Sequence, residues 1–85
     1  MWVEIYHKTE PPKFINMDRV HLFGRVWNIP NVVRFEIPDN GVESAIVIAF
    51  DSPEAAIRAV FNIANAIEGG KRLITIDANN GEVID

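Results

Sequence analysis

The run AIVIAFDSPEAAIRAVFNIANAIEGG, residues 45–70, constrains this chain more than any other stretch. It reads as a buried strand, a capped turn, an amphipathic helix and a glycine stop. Ser52 offers an oxygen to a free N–H of the first helical turn. Pro53 lacks the N–H that would be unsatisfied there anyway, and Glu54 suits the positive end of the helix dipole. Ile57, Val60, Phe61, Ala64 and Ile67 fall at offsets 0, 3, 4, 7 and 10 and lay one stripe along the helix, widened by Ala56 and Ile63. Arg58, Asn62, Asn65 and Glu68 fall mostly away from it. Gly69-Gly70 supplies a left-handed cap. The pattern predicts a helix over about Pro53–Glu68, with that stripe turned to a sheet.

The rest of the chain reads as short strands broken by prolines, glycines and asparagines. In 2–8, Val3, Ile5 and His7 share one face, and Trp2, Glu4, Tyr6 and Lys8 the other. Pro11-Pro12 interrupts pairing. Phe14–Met17 is a short apolar strand, and Asp18-Arg19 a turn or bulge. Val20–Asn28 forms a third strand, with Val20, Leu22 and Val26 on one side and His21, Phe23, Arg25 and Trp27 on the other. Gly24 marks a bulge or a close approach. Asn28–Asn31 is a turn by composition. Val32–Ile37 alternates again, with Val33, Phe35 and Ile37 together. Pro38-Asp39-Asn40-Gly41 is the strongest turn signal. Ser44–Phe50 is apolar on both faces, which places it centrally in a sheet. Leu73–Asp77 is a further strand. Asn79-Asn80-Gly81 turns, and Glu82–Asp85 pairs back or frays.

The order ββββ(β)αβ implies one α+β domain over residues 1–85: a single antiparallel sheet of about five strands with one helix across a face. The partner expected for the helix is the set Val3, Ile5, Val20, Leu22, Val33, Phe35 and one side of 45–50.

Composition narrows the function. A chain of 85 residues has room for one small core. Its net charge is −4 and its pI about 5.0, which gives no general attraction to phosphate backbones or anionic membranes. It has no cysteine, so disulfides, thiolate metal sites and a catalytic thiol are excluded. The opening MWVEIYHK lacks a basic leader followed by a long apolar run, and no apolar stretch reaches membrane-spanning length. These features predict a soluble cytoplasmic protein.

Chemical motifs are sparse. His7 and His21 are the only histidines, and Ser44 and Ser52 the only serines. Nothing sets a nucleophile beside a base, so the expectation is no enzyme, no cofactor and no metal. A shared metal on His7 and His21 with Glu4 or Asp18 has no spacing to support it. Asp77–Glu82 and Asp39-Asn40-Gly41 with Glu43 resemble calcium loops only superficially, and a turn explains each. Gly69-Gly70-Lys71 follows a helix rather than preceding one, so it is no phosphate loop. The opening WVEIYHK with FINMDRV, and the FDSPEAA helix start, resemble stretches of many small prokaryotic proteins. Alternation and capping account for both, so the likeness implies no activity.

What remains is the sheet face turned away from the helix. It is expected to carry Trp2, Tyr6, Phe23 and Trp27, interleaved with His21, Arg25, Arg34, Glu4 and Lys8. So much aromatic surface in a small protein points to a contact. The reading is a non-enzymatic interaction module that forms a homodimer or larger assembly through Trp2, Tyr6, Phe23, Arg25 and Trp27. One alternative is an accessory single-stranded nucleic-acid-binding protein using the same face, with bases stacked on the rings. The acidic balance and the missing RNA-binding signature disfavour it. A small-ligand or metal-binding protein and an ordinary monomer core are the remaining readings.

Overall fold

The computed structural model describes residues 1–39 and 42–84. The Asn40-Gly41 turn and Asp85 of the acidic end lie outside the described residues. In chain order the elements are β1 (Trp2–Tyr6), β2 (Lys13–Asn16), a 3-10 turn (Met17–Arg19), β3 (Leu22–Val26), β4 (Ile29–Asp39), β5 (Val42–Ala49), α1 (Pro53–Glu68), β6 (Leu73–Asp77) and β7 (Val83–Ile84).

The α+β class holds, but the strands form two sheets instead of one. Four strands run in the order β2-β1-β6-β7, and three in the order β3-β4-β5. The division starts at Asn16. Its side chain accepts from the Asp18 N–H and caps the 3-10 turn, which carries the chain off the edge of β2 before β3 begins. The next three strands then close on themselves as an antiparallel meander. Helix α1 carries the chain back to the first sheet, where β6 lies parallel to β1 and antiparallel to β7. Parallel neighbours need such a crossover, and α1 is that crossover.

One apolar core fills the space between the sheets and the helix. The first sheet contributes Val3, Ile5, Ile15, Ile74 and Ile76, and the second Val33, Phe35 and Ile48. Phe23 stacks on Phe35 at 5.9 Å. Leu22, expected inside, stands 59% exposed. Phe23 sits directly opposite Phe35 in the register, so the inward side of β3 is the one with Phe23, the reverse of the expectation.

The helix bounds, the Ser52 cap and the glycine stop agree with the sequence pattern. The Ser52 hydroxyl accepts from the Ala55 N–H at 3.1 Å. At the other end Gly70 adopts φ 70°, its N–H bonds the Ile67 carbonyl, and the Lys71 N–H bonds that of Ala66. That pair of bonds is a Schellman cap. The buried face is different, however. Ala55, Ala56, Ala59, Ile63 and Ala66 meet the core, with Val60 at its margin. Ile57, Phe61, Ala64 and Ile67 look outward. Small alanines let the helix axis approach the sheet closely, which bulkier Ile57 and Phe61 would prevent.

Two further corrections concern strands. The turn between β3 and β4 falls at Trp27-Asn28, so Ile29 and Pro30 belong to β4. The fifth strand is an edge strand, with β4 as its only strand neighbour among the described residues. Of its two apolar sides, which suggested a central place, the one with Ile46 and Ile48 meets the core and the one with Val47 faces outward.

Candidate interaction surface

The five residues expected to form one contact occupy different places. Trp2 and Tyr6 do share a face, the outer side of the four-stranded sheet. Phe23 packs into the core, Arg25 lies exposed on the edge strand β3, and Trp27 projects from the β3–β4 turn, 93% exposed. The two-sheet division separates the first pair from the rest.

The outer side of the first sheet is more apolar than the sequence pattern suggested. Cross-strand register puts Phe14 of β2 beside Glu4, and Leu73 of β6 beside Trp2. Phe14 is 56% exposed and Leu73 57%, with Trp2 and Tyr6 a little under half. Ile84 continues the face on β7, opposite Thr75. Glu4 sits in the middle of this surface and is held by the Thr75 hydroxyl, which donates to Oε1 at 2.9 Å. Phe14 and Leu73 escape a reading of the sequence because their neighbours depend on which strands pair. The alternation of Phe14 against Ile15 is the one local signal.

The outer side of the second sheet carries an apolar groove of about 260 Å³, lined by Leu22, Phe23, Gly24, Arg25, Val26, Arg34 and Glu36, so two of the five expected contact residues border it. Arg34 Nε lies 3.2 Å from Glu36 Oε1, so its charge is matched. His21 Nε2 lies 3.9 Å from the other oxygen of the same carboxylate.

A polar cleft of about 230 Å³ opens past the carboxyl ends of the parallel pair β1 and β6. His7, Lys8, Thr9, Asp51, Asp77, Ala78 and Asn79 line it. His7 Nδ1 faces Glu10 Oε2 at 3.5 Å, and its Nε2 is buried with no hydrogen-bond partner. Asp77 caps the turn below by accepting from the Asn79 N–H. His21 lies on the other sheet, so the structure does not gather the two histidines. Among the described residues no group of three His, Asp or Glu is placed to hold a metal ion. Ser44 donates to the Ile37 carbonyl, and Ser52 is the helix cap.

No helix among the described residues is long and apolar enough to cross a membrane. The chain matches no protein-family model, no curated protein and no solved structure.

Proposed function

We propose that the protein is a non-enzymatic interaction module that assembles with copies of itself, and that the outer side of its four-stranded sheet is a working surface. One observation carries this reading: Trp2, Tyr6, Phe14 and Leu73 lie together on a solvent-facing sheet side. Half-exposed rings of roughly 200 Å² each, with the leucine, make roughly 400 Å² of joined apolar surface, the size of the largest patch on a typical monomer, which is often a functional one. Trp and Tyr dominate the centres of protein contacts, and polar residues such as Asn16 beside Trp2 and Asp77 beside Tyr6 suit the rim. A sheet side meeting its own copy about a two-fold axis needs no second partner.

Nucleic-acid binding is less well supported. Stacking sites for single strands set cations beside rings. Here Arg25 and Arg34 lie on the other sheet from Trp2, Tyr6 and Phe14, and Arg34 is already paired with Glu36.

The test is solution mass by light scattering. Wild type should exceed the 9.6 kDa of one chain. Phe14→Ser combined with Trp2→Ser should lower the mass while leaving the far-ultraviolet circular dichroism intact. An unchanged mass would remove this face from the contact. Retardation of a short single strand at low salt would favour the nucleic-acid reading instead.

A further inference from the structure

We propose that β5 is a self-pairing edge, along which two copies join antiparallel about a two-fold axis at Val47 and fuse their three-stranded sheets into one. This is independent of the contact proposed above, since it uses the backbone of the other sheet.

An open strand edge presents a row of unpaired N–H and C=O groups, and proteins defend such edges with charge, proline, bulges or shortness. Three of the four edges here are defended. β2 follows Pro11-Pro12 and begins with Lys13. β7 has two residues. β3 carries Arg25 and a register shift between Arg25 and Val26. β5 has none of these devices over Ala45-Ile46-Val47-Ile48-Ala49, and its register with β4 is unbroken. A run so rich in strand-forming residues and free of charge is built to be covered.

The hydrogen bonds fix which groups face out. The Phe50 N–H donates to the Asn31 carbonyl at 2.8 Å, and on the far side of β4 the Glu36 carbonyl accepts from the His21 N–H. Antiparallel ladders alternate, so Ile48, Ile46 and Ser44 turn their backbone groups to β4. Ala45, Val47 and Ala49 turn theirs to the open edge. A two-fold axis at Val47 sets Val47 against its own copy and Ala45 against Ala49. All three outward residues then become hydrogen-bonded pairs, about six bonds across the contact. The same register sets Ile46 against Ile48 on the core side. Moving the axis two residues toward the helix would bring Asp51 opposite Val47, and moving it the other way would carry the pairing out of the uncharged run. Charge and backbone valence therefore choose the same register, and the partner is a second copy.

The test uses the full chain. Val47 is half exposed on the outer side, so in Val47→Glu the carboxylate reaches water within the subunit and the fold should be kept. Across the axis it sets two carboxylates face to face. Sedimentation velocity should then show the dissociation constant raised at least about tenfold, with Val47→Thr close to wild type. Amide hydrogen exchange supplies the second readout. In concentrated wild type the Ala45, Val47 and Ala49 amides should be protected. On dilution they should lose that protection, while Ile46 and Ile48 keep theirs. A Val47 amide that exchanges equally fast at both concentrations overturns the proposal, as does a Val47→Glu protein that assembles like wild type. If Val47→Glu removes a pairing step and Phe14→Ser with Trp2→Ser removes none, the edge stands and the aromatic face falls. With the opposite pattern the aromatic face stands and the edge falls.

Discussion

Gly81 is the residue on which the last turn depends. It adopts φ 74°, in the left-handed region, and it is buried against the start of α1, where an added Cβ would overlap the Ala55 carbonyl oxygen. Its own carbonyl accepts from Asn62 Nδ2 at 2.9 Å, so the turn after β6 is bonded to the helix as well as pressed on it. Gly81→Ala combines left-handed strain with overpacking and should cost about 3 kcal/mol. In a chain of this size that lowers Tm by roughly 15 °C, which a thermal melt would read. Gly70 has a similar φ but open space around it, so Gly70→Ala should cost about 1 kcal/mol. A melt in which the two variants behave alike would contradict the crowding at Ala55. The sequence reveals the turn at Asn79-Asn80-Gly81 but not its docking on the helix, because local pattern carries no record of what a turn rests against.

At the scale of the element, α1 separates what local rules determine from what only packing determines. Its ends follow from Ser52, Pro53 and the glycine pair, each acting on bonds within a turn of itself. Its buried side does not. Apolar residues cover well over half of the helix circumference, so periodicity admits more than one inward direction, and the largest side chains suggest the wrong one. The tight fit against the sheet selects Ala59 and Ile63 over Phe61, which remains 65% exposed. Ile63→Ala should therefore cost about 2–5 kcal/mol in urea denaturation, and Phe61→Ala no more than about 0.5 kcal/mol. A larger loss at Phe61 than at Ile63 would mean that the helix is turned the other way. A similar ambiguity misplaces β5. A strand apolar on both sides reads as central, but here the outer side and the open edge belong to the surface.

At the scale of the whole molecule, strand identities are largely legible in the sequence and strand partners are not. The pattern of Trp2–Tyr6 reveals a two-sided strand but not that β6, beyond a meander and a helix, will be its parallel neighbour. With the partners goes the site: Trp2 and Tyr6 join Phe14 and Leu73, while Phe23, Arg25 and Trp27 go to the other sheet. Two proposed contacts, one on a sheet side and one on a strand edge, have consequences for the assembly. Each is two-fold, and two such axes close when they meet at an angle that divides 180° evenly, right angles giving a tetramer and 60° a hexamer; otherwise copies add without limit. Mass should therefore rise in even steps with concentration, and the Val47→Glu protein should stop at a dimer. A stable trimer would be incompatible with both contacts. The parallel pairing of β1 with β6 has one further effect. Glu4 and Thr75 are 71 residues apart along the chain. On a ribosome adding about 5–20 residues per second, the first strand waits several seconds for its neighbour to be made. Until then it has only β2, and a lone two-stranded hairpin is marginal in water. The second sheet can close during synthesis, and the first is finished only once β6 is free to pair.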